Sequence, residues 1–364
     1  MNNVYFDNAS TTKPSERIIN LYSNYASNLY ANTMSVHSFG QKNLYDLELV
    51  SARLCKLLNI NNYNIVYTYN ATEANNIGLQ GYLKSYTRGK ILTTKLEHAS
   101  VLKTLESFKN IFEIVYINIL NNGDIDLDDF KKHLDNEVIL VCIMMVHNVV
   151  GVKFSLEEIK KLIQPYKKIR LFSDSVQCFL KYKEDYSMLD MFTISFHKVH
   201  CLKGVGVLAY KKGINLKNIL FGATNQYGLR PGTFDFPLVK ATIDECEILY
   251  NEIETTNNYV NDLMVVLKKG LKSLNVSLIG DNNNSYIISF YTKHKGEVLV
   301  HMLEKYNIYI STVSACNSTS SYDEGLYAIL KNKELTTQVV RVSLSNLNTL
   351  KEIEYFLDCL GKSI

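Results

Sequence analysis

The sequence contains few prolines and no long apolar run. Its 364 residues include four prolines, and no proline-rich linker, low-complexity block or internal repeat interrupts them. No uninterrupted apolar stretch reaches about 18 residues, which excludes a membrane-spanning helix. The first seven residues have no basic region followed by an apolar core, so we expect no secretory signal. The net charge of +3 is too small to favour nucleic acid or an anionic membrane as the main partner.

The sequence also lacks paired cysteines. Its seven cysteines are dispersed, with no Cys-x-x-Cys spacing. An odd, scattered set without an export signal is typical of reduced thiols in the cytoplasm, and it argues against a disulfide framework or a structural zinc site. We therefore expect a cytoplasmic protein without a metal site. Cys142, Cys246 and Cys359 are expected to be buried and unreactive, which is the usual state of a cysteine.

The order of apolar segments predicts an α/β protein with two domains. From residue 65 to about residue 210, short apolar runs alternate with helical patterns, which indicates a mostly parallel sheet between helices. After about residue 235 the pattern changes to one long helical stretch over 237–273, followed by further strands and helices. We predict a large domain over 13–250, and a smaller α+β domain formed by 1–12 and 251–364.

Two predicted strands end in polar residues that could face one site. One apolar run ends in Asp174, and about two dozen residues later another ends in Ser195-Phe196-His197-Lys198. Such strands bring their carboxyl ends to one crevice. Pyridoxal phosphate needs a lysine to bond its aldehyde and an acid to keep its ring nitrogen protonated. Ser195 and His197 could reach its phosphate. In isolation, a helix-capping aspartate and a surface lysine explain the same pattern.

Three further clusters follow strands in the first half. Ala71 and Thr72 open a helix, where backbone amides and a hydroxyl suit a phosphate ester. A simple helix cap explains these two residues equally well. His98 could stack on a flat ring and carry protons, although a lone histidine is more often structural. The Asn148 amide could hydrogen-bond a phenolic oxygen.

The second half adds three more candidates. A glycine-punctuated loop at 228–233 presents Thr233, whose hydroxyl could also bind an anion. Cys316 lies in a run of small polar residues, a composition that favours an exposed, mobile loop with an accessible thiol. Arg341 interrupts an apolar strand. A cation among apolar neighbours requires a partner, and its planar fork suits a substrate carboxylate.

Taken in order, these clusters resemble the cysteine desulfurases of the NifS/IscS type, which belong to the class V aminotransferase group of fold-type I pyridoxal phosphate enzymes. The resemblance spans nearly the whole chain, and the matching segments fall in the family's order. They are residues 7–12, 35–40 and 71–73, Glu97-His98, Asn148, Asp174 with Gln177, Ser195-x-His197-Lys198, residues 203–206 and 230–233, Ser314-Ala315-Cys316 and Arg341-x-Ser343.

The resemblance implies roles around the cofactor ring. It makes Lys198 the lysine that bonds the cofactor and places Asp174 at the pyridine nitrogen. Gln177 and Asn148 are implied at the phenolic oxygen, and His98 is implied to stack on the ring.

The resemblance also implies a phosphate site shared between two subunits. It places Thr72, with Ala71 beside it, on the phosphate together with Ser195 and His197. Thr233 is implied to reach the phosphate of the neighbouring subunit, which implies a homodimer.

The implied reaction converts L-cysteine to L-alanine and leaves the sulfur on Cys316 as a persulfide. Arg341 and Asn148 would bind the substrate, while Lys198 and His98 would carry protons. The implied acceptor is a partner protein, either an iron-sulfur scaffold or a tRNA thiolase. No membrane or direct nucleic-acid contact is expected.

The sequence departs from the family pattern at three places, and alternatives remain open. Val149 stands where the family commonly has glutamate, Asn70 where it has glycine, and the family's glycine-rich loop is replaced at 222–226, which includes Asn225. The same group includes selenocysteine lyases, cysteine-sulfinate lyases and aminotransferases. A weakly active scaffold for sulfur-transfer partners is a further alternative.

Overall fold

A seven-stranded sheet with helices on both faces forms the centre of the molecule in the computed structural model, which describes residues 3–280, 285–312 and 322–364. The helices are α1 Glu16–Asn28, α2 Ser38–Leu57, α3 Ala71–Leu83, α4 Ala99–Glu106, α5 Leu127–His133, α6 Leu156–Ile163, α7 Phe236–Asn251, α8 Ile253–Ser273, α9 Gly296–Glu304, α10 Glu324–Leu330, α11 Lys333–Thr336 and α12 Leu350–Ser363. Short 3₁₀ turns lie at Tyr186–Met188, Phe196–Lys198 and Gln226–Gly228.

The strands form three sheets in the described part of the chain. They are β1 Val4–Tyr5, β2 Tyr63–Thr68, β3 Lys90–Thr94, β4 Glu113–Ile117, β5 Val138–Cys142, β6 Arg170–Asp174, β7 Met191–Ser195, β8 Gly206–Lys211, β9 Ser277–Ile279, β10 Ile287–Tyr291, β11 Ile308–Tyr309, β12 Ser311–Thr312 and β13 Val339–Ser343. The central sheet has the order β2-β8-β7-β6-β5-β3-β4. Only β8 runs antiparallel to its neighbours there, so the predicted mostly parallel sheet is confirmed.

Alternate residues of the central strands enter two different apolar layers, as the period of a strand requires. Val66 and Leu208 pack into the layer covered by α3 and α4. Their neighbours Ile65 and Val207 pack into the opposite layer, which α1, α2 and α7 cover. Burial on both faces explains why these strands are continuous apolar runs in the sequence.

One of the apolar runs between residues 65 and 210 covers 138–146 and predicts a strand of that length, but the observed strand is shorter. β5 stops at Cys142, and the next residues leave the regular ladder while still hydrogen-bonding to the end of β6. Met145 donates its backbone N–H to the carbonyl of Asp174 at 3.2 Å. The buried run therefore continues past the end of the strand, where Met144 and Val146 line the cavity of the candidate active site.

The long helical stretch predicted over 237–273 is two helices. The chain turns at Glu252, which ends α7 and begins α8 with φ −91° and ψ −3°. The apolar face of α7 packs against the central sheet, whereas α8 packs on a separate apolar cluster. One straight helix could not pack against both apolar clusters, so the chain changes direction between them.

That second cluster surrounds an antiparallel sheet of order β12-β13-β10-β9. Strand β1 pairs in parallel with β11, and Asp7 forms a bridge with Ser343 at the end of β13. The N-terminal segment thus runs beside the C-terminal sheet before it reaches the edge of the central one. The division into domains at 13–250 and 1–12 with 251–364 stays a prediction.

Two further findings concern the described residues as a group. None of their helices has the length and apolarity needed to cross a membrane, and they contain no cluster of three or more His, Cys, Asp or Glu side chains that could hold a metal ion. Cys142, Cys246 and Cys359 are free and buried, as predicted.

Candidate active site

A cavity of about 380 Å³ lies at the carboxyl edge of the central sheet. The N-terminal segment and β13 close one side of it, and the first turns of α3 and α4 close another. Most of the side chains singled out in the sequence line this one cavity, although they come from distant parts of the chain. They are Ala71, Thr72, His98, Asn148, Asp174, Gln177, Ser195, His197, Lys198 and Arg341.

Lys198 enters the cavity from the 3₁₀ turn that follows β7. Its Nζ donates to the backbone carbonyl of Ala9 at 2.8 Å and also to that of Ser10. Gln177 donates its side-chain N–H to the same Ala9 carbonyl at 2.9 Å. The N-terminal segment therefore holds both side chains at the cavity, with the lysine amine at its surface.

Asp174 is the last residue of β6, and its carboxylate is fixed by two hydrogen bonds. Oδ1 accepts from the backbone N–H of Val176 at 3.1 Å, and Oδ2 accepts from the side chain of Asn75 at 2.9 Å. Asn75 is fully buried in α3. It also donates to Ser100 Oγ at 2.8 Å and accepts from Thr193 Oγ1 at 2.6 Å.

The Asn75 side chain connects the carboxylate to the imidazole of His98. Ser100 Oγ lies 2.8 Å from Asn75 Nδ2 and 2.7 Å from His98 Nδ1. His98 also caps α4 by accepting from the Ser100 backbone N–H. Sequence analysis missed Asn75 because an asparagine inside a helix has no periodic signal, and its partner at 174 is far away in the chain.

The N-terminus of α3 and the end of β7 face the same region of the cavity. The first amides of a helix have no partner within the helix and favour an anion. Ser195 is buried, and its hydroxyl has no hydrogen-bond partner among the described residues. At Gly206, an added Cβ would lie 2.5 Å from the carbonyl carbon of Asn70. The backbone thus approaches the start of α3 as closely as glycine allows.

The loop between β8 and α7 supports the start of α3 from outside. Arg230 Nε lies 3.1 Å from Glu73 Oε1. The Gln226 side chain accepts from the Tyr67 backbone N–H at 2.6 Å and donates to its carbonyl at 3.1 Å, in place of a neighbouring strand. Thr233, on the same loop, does not line the cavity. It is exposed and accepts from Asn32 at 3.3 Å.

Arg341 points from β13 into the cavity and is buried. Its guanidinium donates to the backbone carbonyl of Asn148 at 2.9 Å, to Asp7 Oδ1 at 2.6 Å and to Ser10 Oγ at 2.8 Å. Its Nε has no hydrogen-bond partner among the described residues. The arginine is therefore anchored by an acid and a carbonyl and keeps a donor for an anion.

Two histidines of the site have a strongly lowered pKa. Burial lowers the pKa of His147 to about 3, and the charge of Arg341 adds to this effect. Burial also lowers the pKa of His197 to about 4, with further contributions from Lys198, Lys203 and Lys181. Both imidazoles are therefore neutral at pH 7, and His197 can pair with Thr11 Oγ1 at 3.0 Å without a charge.

Glu97 is a buried carboxyl group to which the sequence assigned no role. Burial raises its pKa well above the usual range; the charge of Asp174 adds to the shift, and a hydrogen bond from the Met144 N–H at 2.8 Å opposes it. One of its oxygens has no partner among the described residues. Glu97 therefore lines the cavity and connects the end of β3 to the chain after β5, through its hydrogen bonds with Thr94 and Met144.

Two of the departures from the family pattern, Val149 and Asn70, line the cavity, whereas Asn225 does not. Val149 is buried and its carbonyl accepts from Ser289 Oγ at 2.7 Å, which ties the cavity wall to β10. Asn70 caps α3 by accepting from the Glu73 N–H at 3.0 Å. Asn225 donates to the Gly232 carbonyl at 2.7 Å. Cys316 lies outside the described residues.

Comparison with known proteins gives a match along almost the whole chain. A family model described as "Aminotransferase class-V" matches residues 4–356. The "NifS/IcsS protein homolog" of Lactobacillus delbrueckii subsp. bulgaricus is 30% identical over 370 residues, covering 97% of this chain and 95% of that protein. The "Cysteine desulfurase, mitochondrial" of Saccharomyces cerevisiae is 28% identical over 376 residues, covering 99% of this chain and 75% of its own.

The solved structures give the same result for the fold. A "NIFS-LIKE PROTEIN" superimposes with a TM-score of 0.91 at 26% sequence identity, and the match covers 99% of this chain and 98% of the other. The α/β fold, including the mostly parallel central sheet, is therefore shared with that protein.

Proposed function

The chain belongs to the class-V aminotransferase family, and on this premise we propose that it is a pyridoxal-phosphate-dependent cysteine desulfurase. The proposed reaction converts L-cysteine to L-alanine and transfers the sulfur to Cys316. The observation that carries the proposal is the convergence of an amine, a carboxylate and a guanidinium, those of Lys198, Asp174 and Arg341, on one cavity. Relatives named cysteine desulfurases along the full length support the choice of reaction.

The residues present fit the cofactor on chemical grounds. The buried hydroxyl of Ser195, which has no hydrogen-bond partner in the described part of the chain, and the first amides of α3, at Ala71 and Thr72, form a donor set for a phosphate ester. The Asp174 carboxylate suits a protonated ring nitrogen, and the Lys198 amine suits an aldehyde. When bound, pyridoxal phosphate supplies that aldehyde and an aromatic ring that withdraws electrons from the substrate.

Several side chains are proposed to hold the ring and the substrate. Gln177 and Asn148 are the proposed partners of the phenolic oxygen, and His98 is proposed to stack on the ring. The neutral His197 is a proposed partner of the phosphate, for which it would serve as a donor without adding charge. Arg341 is proposed to bind the substrate carboxylate, assisted by Asn148.

The chemical step requires proton carriers and a nucleophile. Lys198 and His98 are the proposed proton carriers, since both line the cavity. The Cys316 thiolate is proposed to attack the substrate sulfur, forming a sulfur–sulfur bond as the carbon–sulfur bond breaks. Cysteine and the Cys316 thiol thus become alanine and a Cys316 persulfide. A sulfur-acceptor protein, either an iron-sulfur scaffold or a tRNA thiolase, is the proposed next partner.

A homodimer with shared sites is also part of the proposal. Large apolar side chains are exposed close to the Asn32–Thr233 contact in sequence: Val36 at 93%, Phe221 at 87% and Tyr30 at 76% of their surface. Exposed apolar surface of this kind favours a protein interface. A second copy covering it would bring Thr233 to the phosphate of the neighbouring subunit. The free thiols of the described residues support a reducing compartment, and we propose the cytoplasm.

The proposed cofactor chemistry is tested on the purified protein loaded with pyridoxal phosphate. We expect a visible absorption band that disappears with borohydride and a covalent label on the peptide that contains Lys198. Lys198→Ala should lose both signals. Lys183→Ala, which removes an exposed lysine paired with Glu254, should keep them. A band that persists in Lys198→Ala would refute the assignment of the lysine.

The proposed reaction is tested by measuring alanine and sulfide formed from cysteine. Cys316→Ser should bind the cofactor and cysteine but release no sulfide, because the sulfur has no acceptor thiol. Turnover with a keto acid that persists in Cys316→Ser would instead identify an aminotransferase. A loaded protein that forms no alanine from cysteine would point to a scaffold.

A further inference from the structure

Lys181 is a buried lysine that the proposed chemistry does not use. It is only 7% exposed, and its Nζ donates to Gln177 Oε1 at 2.7 Å. No carboxylate of the described residues is within ion-pair distance of it. Lysines are almost never this buried without an opposite charge. The neutral acceptor is therefore unusual and requires an explanation.

Gln177 links Lys181 to Lys198. Its Oε1 accepts from Lys181, and its Nε2 donates to the Ala9 carbonyl at 2.9 Å. Lys198 Nζ donates to the same carbonyl at 2.8 Å. One side-chain amide and one carbonyl oxygen thus separate the two amines. The lysines also line a second cavity of about 40 Å³, which has room for at least one water molecule.

The surroundings of Lys181 are mainly cationic or neutral. The titratable groups that the packed elements bring near it are Cys178, His197, Lys198, His200, Tyr286 and Arg341. Burial, followed by the charges of Lys198 and Arg341, lowers the pKa of Lys181 to about 7, and Cys178 opposes the shift. Lys181 is therefore partly charged near neutral pH, and its charge acts in a poorly solvated place.

We propose that Lys181 is a positioning residue for Lys198, which it serves by fixing the Gln177 amide and by disfavouring a second positive charge on the Lys198 amine. The amide is fixed because Nζ–H is a donor only to the oxygen of Gln177, which turns Nε2 towards Ala9. The charge matters because an adjacent cation favours the uncharged, nucleophilic form of an amine. This inference rests on the proposed function, since that function makes Lys198 the reactive amine.

The test measures the reactivity of Lys198 in the apoprotein. An amine-acylating reagent is applied at several pH values across the neutral range, and the label on the Lys198 peptide is quantified by mass spectrometry. Lys181→Met keeps most of the side-chain volume but removes the charge and the donor. We expect Lys198 to be labelled about tenfold more slowly at neutral pH in this variant, the effect that one pKa unit has on the uncharged fraction.

Two variants control the measurement. Lys183→Met also removes a positive charge, but from the exposed pair with Glu254, so labelling of Lys198 should match the unsubstituted protein. Lys181→Arg keeps the charge and should retain most of the reactivity. Equal labelling in Lys181→Met and the unsubstituted protein would overturn the proposal. If Lys181→Met does not fold, Lys181→Gln, which retains polar atoms without charge, carries the same expectation and the same refutation.

The labelling result is independent of the proposed reaction, because the apoprotein turns over no cysteine. A protein that lacks the cofactor band or forms no alanine would refute the proposed function and leave this readout intact. In the loaded protein, the pH at which the visible band changes should move upwards in Lys181→Met and stay unchanged in Lys183→Met. A band whose pH dependence is identical in all variants would also count against the role of Lys181.

Discussion

Asn75 offers the sharpest test of how the site is built. It is fully buried and makes three hydrogen bonds, to Asp174 at 2.9 Å, to Ser100 at 2.8 Å and from Thr193 at 2.6 Å. A neutral hydrogen bond contributes about 1 kcal/mol and one to a charged group about 1.5–3 kcal/mol. Because Asp174 lines the cavity, water can replace part of the hydrogen bond that its carboxylate loses in Asn75→Ala. We expect the free energy of unfolding to fall by about 2–4 kcal/mol.

The cofactor should respond to the same substitution. Without Asn75 the Asp174 carboxylate loses one of its two fixed donors and is held less firmly towards the cofactor. Each 1.4 kcal/mol of binding free energy lost in this way weakens cofactor affinity about tenfold. Asn75→Asp should be worse still. A second carboxylate at hydrogen-bond distance would repel the Asp174 carboxylate and remove the donor that fixes it, which weakens its pairing with the ring nitrogen.

The assays are urea unfolding of the apoprotein and titration with pyridoxal phosphate. Unfolding is followed by circular dichroism, because the chain contains no tryptophan, and binding is followed by the visible band. Asn76→Ala, on the next position of the same helix, is the control. Its partners reach water or, for Thr104, have a second acceptor at Ser100, so it should lose about 1 kcal/mol or less. An Asn75→Ala protein as stable as the control, with unchanged cofactor affinity, would refute the reasoning.

Three other predictions follow from single contacts. Gly206→Ala should cost at least as much free energy of cofactor binding as of unfolding, because its Cβ would lie 2.5 Å from the Asn70 backbone at the start of α3. Gly361→Ala is the control, because its Cβ meets only a flexible leucine side chain, and it should leave the cofactor affinity unchanged in the same titration. His147 is neutral in the folded protein down to about pH 3 but titrates near 6.5 when unfolded. Its contribution to stability is therefore complete above about pH 6.5 and falls as the pH is lowered towards 3. Urea midpoints should fall less steeply over that interval in His147→Asn, and equal slopes would contradict the assignment. Arg341→Lys should raise the KM for cysteine about ten- to hundredfold with a smaller change in kcat, since an ammonium group cannot keep the contacts with Asp7 and Asn148 and also offer a donor to the substrate carboxylate; an unchanged KM would remove Arg341 from substrate binding.

The parts of the fold that depend on local pattern were predictable from the sequence. The apolar runs at 91–94 and 191–195 predict β3 and β7 within a residue of their observed ends, and the run at 169–172 predicts β6 within two, since a buried strand is a short apolar run bounded by polar residues. The antiparallel direction of β8 was not predictable, because an apolar run has the same composition in both directions. The turn at Glu252 was missed as well, since the two helices differ only in which apolar cluster they bury.

The site was predictable where a polar residue follows a strand. Asp174 and Ser195 end strands, so a parallel sheet was bound to bring them to one edge. Asn75, Glu97 and Lys181 acquire their roles from partners distant in sequence or from burial, neither of which has a local signal. Lys181 in particular becomes informative only once the structure shows that it is buried and that no carboxylate of the described ranges pairs with it.

The central claim is that sulfur moves from free cysteine to Cys316. The most direct measurement is the mass of the Cys316 peptide after the loaded protein has been incubated with L-cysteine and its free thiols have been alkylated. The account predicts the added mass of one sulfur atom on Cys316, removed by a reductant and absent in Lys198→Ala. Alanine formed in stoichiometric amount while Cys316 carries no extra sulfur would contradict it.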